Sequence, residues 1–172
     1  MKQIALKFLV LGDGGVGKTT LLNRYVNGEF LDAAKMTIGV EFLSKNIQMG
    51  AISCQLILWD ISGQDRFRFM IDKYMRGASG ALLLFDTTNM KSFVNIGKWE
   101  NIVRKYYENL PILLIAAKCD LEEFSIVGDI YARKTKERFG MIDFVKTSSK
   151  TGMNVDLAFE TLANYIVEHK KL

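Results

Sequence analysis

Histidine occurs once in this chain, at His169, and cysteine twice, at Cys54 and Cys119. A lone histidine, read as a solvated residue at a helix end, gives no basis for a metal site built on imidazoles. The two isolated cysteines lack C-x-x-C spacing and read as free thiols of a reducing compartment. Long apolar runs are missing too: PILLIAA at Pro111 to Ala117 is among the longest, far short of the roughly 20 residues of a membrane span. Basic residues, 23 against 19 acidic ones, are spread rather than gathered, so no nucleic acid polymer is expected as a partner. The N-terminus MKQIALKF enters a strand-like run without a small-residue cleavage site, which argues against a signal peptide. Lysine at position 2 excludes N-myristoylation, and the ending EHKKL carries no cysteine to prenylate and too few lysines for a polybasic anchor. The expectation is a soluble, cytoplasmic monomer with no direct membrane anchor in this chain, peripheral at membranes only if a longer tail or a partner recruits it.

What is present is ordinary globular material, 49% hydrophobic and 24% charged, with no repeat, low-complexity segment or linker, so one domain over 1–172 is expected. Apolar runs alternate with helix-period stretches. IALKFLVL reads as a strand and Lys18 to Asn27 as a helix; VEFLSKNIQM and ISCQLILWDI read as two strands of a hairpin joined at Gly50-Ala51. GALLLFD is a buried strand, followed by one helix carrying Phe93, Ile96, Trp99 and Val103; ILLIAA is a strand, IVGDIYARKTKERF a helix and IDFVKTS a last strand. In the final helix Val155, Ala158, Phe159, Leu162, Ala163, Ile166 and Val167 keep strict helical spacing, with Asn154 as its expected N-cap. Continuous apolar strands separated by helices predict a doubly wound α/β domain whose chemistry lies in the loops at the strands' carboxyl ends.

The first of those loops is GDGGVGKT, Gly12 to Thr19, which fits G-x-x-x-x-G-K-[ST] between a strand and a helix. Its glycines allow several N–H groups to point inward as an anion nest at the positive end of the helix. Lys18 can reach terminal phosphates, and the Thr19 hydroxyl can ligate Mg²⁺. This loop implies a nucleoside triphosphate but does not choose the base. Asp120, in KCD after the strand ILLIAA, can accept from N1–H and the 2-amino group of guanine, donors that adenine lacks. TSSK, Thr147 to Lys150, can offer backbone N–H groups to guanine O6.

GDGGVGKT, TIGVEF (37–42), WDISGQDRFR (59–68), AKCDL (117–121) and TSSKTG (147–152) stand in one order and spacing along the chain. In this the sequence resembles the Ras-like small GTPases, and TIGVEF, RFR…YMRGASGALLLFD and SF…W are most similar to the Rab branch. The resemblance implies a G domain, a mainly parallel six-stranded sheet with one antiparallel strand and about five helices on both faces. It implies GTP and GDP as substrate and product with Mg²⁺, and nucleotide contacts from Gly12, Asp13, Gly14, Gly15, Val16, Gly17, Lys18, Thr19 and Thr20. Phe30, Lys118, Asp120, Leu121, Ser148, Ser149 and Lys150 would surround the base. Thr19, Thr37 and Asp60 would hold the ion, while Lys18, Thr37, Gly63 and Gln64 would serve catalysis, Gln64 by orienting water. Ile38, Phe42, Trp59 and Tyr74 would form the surface that effectors read.

By the same resemblance, residues 31–40 and 61–76 would be two switch regions, met by an exchange factor, a GTPase-activating protein and effectors in vesicle trafficking or related signalling. LDAAKM before Thr37 holds no arginine, so slow intrinsic hydrolysis is expected, with Arg66 and Arg68 reserved for packing and partner contacts. The chain departs from the family at Ala117, where the base motif usually has asparagine. Faster nucleotide release is the expectation there. Ser149 and Ser62 are smaller departures. Two other readings remain open at this point: a nucleotide-binding scaffold with negligible hydrolysis, and a P-loop kinase or ATPase.

Overall fold

In the computed structural model, residues 2–31 and 37–170 are described. Six strands form one sheet in the order β2-β3-β1-β4-β5-β6, with β1 at Lys2–Leu11, β2 at Val40–Met49, β3 at Ile52–Ile61, β4 at Gly80–Asp86, β5 at Ile112–Ala117 and β6 at Asp143–Lys146. All neighbours pair in parallel except β2 and β3, whose antiparallel register runs from Val40↔Ile61 to Met49↔Ile52. The expected mainly parallel sheet with one antiparallel strand is therefore what forms.

Every residue of β4 and β5 is buried, as continuous apolar runs require when helices cover both faces. Alternation along β1 sends Phe8 and Val10 to one face, against Phe159 and Leu162 of α6 (Val155–His169), with α1 (Lys18–Asn27) beside them. It sends Leu9 and Leu11 to the other, where they meet Ile71, Trp99 and Val103. Two packed faces fix the strands, and the carboxyl ends of the five parallel ones then share one edge of the sheet.

The helix expected after β4 is interrupted: α3 covers Met90–Val94 and α4 Ile96–Tyr106, with Asn95 between them. The periodicity of Phe93, Ile96 and Trp99 passes through the break because Asn95 keeps helical angles. Counted as one, these segments leave about five helices on the two faces. α5 spans Asp129–Arg138, shorter than expected, since the Ile126 and Val127 amides turn back to Thr87 O. The last strand is likewise only the middle of IDFVKTS. A 3₁₀ turn at Asp65–Met70 leading into α2, Ile71–Met75, had no periodicity to announce it.

Asn154 does precede α6, but it is not a side-chain cap. It sits in the left-handed region at φ 56°, and its Nδ2 donates to Lys146 O at 2.9 Å. The amide therefore fastens the helix start to the end of β6 instead of satisfying the helix's own N–H groups.

Candidate functional site

Between β1 and α1 the glycine loop presses against β4. A Cβ on Gly12 would lie 2.4 Å from Leu84 O, and the residue's φ is +138°, so no other side chain fits. Within the loop the Val16 amide turns back to Asp13 O, whereas the amides of Gly14, Gly15 and Gly17 have no acceptor among the described residues. Free N–H groups converge at the N-terminus of α1, the arrangement that binds phosphate. Lys18, only 6% exposed, donates from Nζ to the carbonyls of Gly12 and Asp13, each at 2.8 Å. Burial brings its pKa down to about 8, while the Asp60 and Asp13 carboxylates favour the charged form.

Beside this ammonium, three oxygen-bearing side chains from three segments meet. The hydroxyls of Thr19 and Thr37 lie 2.6 Å apart, Thr19 donates to Asp60 Oδ2, and Thr37 donates to the same oxygen at 3.3 Å. Asp60 is 1% exposed, and burial pushes its pKa up against the hydrogen bonds and Lys18 that pull it down. Its second oxygen, Oδ1, is buried with no partner among the described residues. An orphaned carboxylate oxygen beside two hydroxyls is a hard, all-oxygen donor set. It fits Mg²⁺, which takes few protein ligands and fills its octahedron with water and phosphate oxygens.

The far side of the site is built from the ends of β5 and β6. Lys118 has φ 61° and extends its side chain along the glycine loop, its Nζ bonding Gly15 O at 2.8 Å and Asp86 Oδ2 at 2.7 Å. Asp120 accepts from the Ser148 hydroxyl at 2.8 Å, which orients the carboxylate and leaves acceptor capacity free. The amides of Ser149 and Lys150 donate to nothing among the described residues, in contrast to those of Thr147, Ser148, Thr151 and Gly152. A cavity of about 400 Å³ runs from the glycine loop to this end.

Most of the expected residues face that cavity: Gly14 to Thr20, Phe30, Thr37, Gly63, Gln64, Lys118, Asp120, Leu121, Ser149 and Lys150 all line it. Three nucleotide-binding expectations do not. Gly12 lies behind the loop, Ser148 is buried under Asp120, and the Asp13 side chain turns away to Asn95 and Trp99. Residues 32–36, within the expected first switch, lie outside the described residues.

Gly63 follows Ile61 and Ser62, and its backbone lies flat on the glycine loop. A Cβ there would approach Gly14 N at 2.3 Å and Gly12 O at 2.4 Å. Gln64 donates from Nε2 to Thr37 O at 3.4 Å and accepts from Arg66 Nε at 2.8 Å. Sequence reasoning gave no role to Asp86, the residue that steers Lys118, although it closes an otherwise apolar strand. A carboxylate ending such a run, on the strand next to the one that leads into the glycine loop, was the available signal.

On the outer face of the β2–β3 hairpin, Ile38 and Phe42 are 73% and 61% exposed. Phe42 meets Trp59 edge-on at 4.7 Å, and Trp59 lies 5.4 Å from Tyr74. Trp59 and Tyr74 are half-buried, so the aromatic group is partly core and partly surface.

A family model described as "Ras family" matches residues 7–168. The chain is similar to "Ras-related protein Rab-27A" of Sus scrofa, 41% identical over 95% of this chain and 79% of that protein. It is similar to "GTP-binding protein ypt2" of Schizosaccharomyces pombe at 39%, covering 96% and 82% of the two chains. "Ras-related protein Rab-10" of Diplobatis ommata is 38% identical, with 96% and 83% covered.

Proposed function

The chain belongs to the Ras family as a Rab-like small GTPase, a GTP hydrolase, and on that premise we propose that it binds GTP and GDP with Mg²⁺ in the cavity described and acts as a switch. The observation that carries this reading is one cavity lined by the anion nest, the Thr19 and Thr37 hydroxyls and the Asp120 carboxylate, with the buried Asp60 carboxylate hydrogen-bonded to both threonines. Thr19, Thr37 and Asp60 would hold the ion, which when bound offsets charge on the phosphate oxygens during phosphoryl transfer.

The protein's own groups do the rest. The free amides of Gly14, Gly15 and Gly17 and the Lys18 ammonium bind and neutralise the terminal phosphates. Gln64 must let go of the Thr37 carbonyl or Arg66 to orient the attacking water. The Gly63 amide, pressed on the glycine loop, donates to the phosphate that leaves. Asp120 selects guanine, and Lys118 covers the base.

Hydrolysis by the isolated chain is slow because the stretch LDAAKM immediately before Thr37 holds no arginine to stabilise the transferring charge; an activating protein supplies that group. An exchange factor and effectors read the segments around Thr37 and Gly63 and the Ile38, Phe42, Trp59, Tyr74 face. The setting is vesicle traffic at membranes, which the chain meets peripherally. No helix among the described residues is long and apolar enough to cross a bilayer. Displacing a fluorescent GDP analogue with GDP, ADP and xanthosine diphosphate tests the reading: GDP should win by orders of magnitude. Comparable competition by ADP would end the guanine assignment.

A further inference from the structure

Asp13 is a carboxylate in the phosphate loop that faces away from the phosphate site. Both oxygens are engaged, Oδ2 by Asn95 Nδ2 at 2.6 Å and Oδ1 by Trp99 Nε1 at 2.8 Å, while its own carbonyl receives Lys18 Nζ. Holding the carboxylate holds the peptide whose oxygen positions the ammonium. The donors come from the α3–α4 break and from a fully buried tryptophan, over 80 residues further along the chain.

The other side of that tryptophan is occupied from the second switch. The Arg68 guanidinium carbon lies 5.1 Å from the centre of the Trp99 ring. Arg68 pairs with Asp65 at 3.0 Å, a mostly exposed carboxylate, and its Nε is buried with no partner among the described residues. A cation over an indole face is attracted to the ring and draws electron density from it, which makes the ring N–H a stronger donor. Five groups thus alternate: Asp65 negative, Arg68 positive, the Trp99 ring, Asp13 negative, Lys18 positive.

We propose that Asp13, Trp99 and Arg68 form a relay in which Trp99 joins the second switch to the phosphate loop, making Asp13 a positioning residue for Lys18. With Arg68 on the ring the Trp99–Asp13 bond is tightened. When the 61–76 segment moves, the incompletely satisfied guanidinium leaves for water and the bond slackens. The relay rests on the nucleotide-switch reading above.

Its test uses the fact that the chain has two tryptophans. In a W59F background Trp99 is the sole emitter, and its fluorescence is compared in GDP-loaded and non-hydrolysable GTP analogue-loaded protein, with bound nucleotide assayed separately. Emission should differ between the two states and the difference should disappear with R68Q. Equal emission in both loaded states, or a difference that survives R68Q, overturns the relay while leaving the GTPase reading intact. A chain that retains neither nucleotide overturns both. In the unaltered background, W99F and D13N should each release GDP about five-fold faster, the loss of roughly one hydrogen bond. The swap D13N/N95D restores donor and acceptor and should return the rate toward that of the unaltered chain. A swap no better than D13N, in protein that folds normally, also refutes the proposal.

Discussion

Ala117 is the last residue of β5, in a site otherwise rich in hydrogen-bonding groups, and it lines the nucleotide cavity with a methyl. The β5–β6 register pairs Ala116 with Lys146, so the next position sets Thr147 beside Ala117 on the same face. Thr147 is 1% exposed and its hydroxyl is buried without a partner among the described residues. Replacing Ala117 by asparagine puts an amide within this neighbourhood, able to pair with that hydroxyl and to bond the base. Leaving the hydroxyl unmet costs about 1–3 kcal/mol, and one new bond to the nucleotide is worth about 0.5–1.5 kcal/mol. Only the bond to the nucleotide acts fully on affinity, so A117N should slow GDP release about two- to ten-fold, at about 1.4 kcal/mol per decade. The pairing with Thr147 should appear instead as a raised melting temperature. Release of a fluorescent GDP analogue chased with excess GDP in Mg²⁺ gives the first quantity, and thermal unfolding of nucleotide-free protein the second. T147V separates the two effects: it should be neutral or stabilising with Ala117 in place, because it removes an unpaired hydroxyl, yet destabilising in the A117N chain. Release that is unchanged or faster in A117N would refute the reasoning. So would a T147V effect of the same sign and size in both chains, since the amide and hydroxyl would then not be partners.

Gly63→Ala sets a Cβ against backbone atoms of the glycine loop that cannot yield, so GTP hydrolysis should fall by about ten-fold or more in single-turnover assays. Because the site's other groups stay in place, GDP affinity should fall less. Gln64→Leu removes the amide proposed to orient water and should lower the hydrolysis rate about ten- to hundred-fold with GTP affinity kept, read as kcat against nucleotide dissociation constant. Burial pushes the Cys54 thiol above its ordinary pKa, so below the ordinary thiol range both folded and unfolded chains carry it protonated. Above that range only the unfolded chain ionises, and stability falls as pH rises toward the folded value. In C54A this share of the alkaline destabilisation should disappear, and in the unaltered chain Cys54 should react with a thiol reagent only on unfolding.

The sheet was the most legible part of the fold because β4 and β5 are continuous apolar runs and β2 and β3 are strand-like runs on either side of the Gly50-Ala51 turn; these four strands begin and end where the runs do. Legibility failed where tertiary contacts decide. Asn95 breaks a helix whose apolar spacing never falters, and what marks the position is its side chain reaching Asp13, far away in sequence. Asn154 has the composition of a cap, yet its side chain is held by the Nδ2 donation to a β6 carbonyl and its oxygen caps no helix N–H. At the site, Thr19, Thr37 and Asp60, singled out in separate motifs, lie together. Motif spacing could not distinguish residues that line the cavity from Asp13 and Ser148, which do not, because that depends on which way a side chain turns.

The β2–β3 hairpin has one further consequence. Val40 pairs with Ile61 at its open end, and just beyond, the Ser62 amide donates to Gly39 O at 2.9 Å. Thr37 and Gly63, distant in sequence, therefore hang from the two tips of one ribbon. On the proposed reading, a phosphate lost at either tip would be felt at the other through that shared backbone bond, so a binding protein that grips only one tip would register the condition of both.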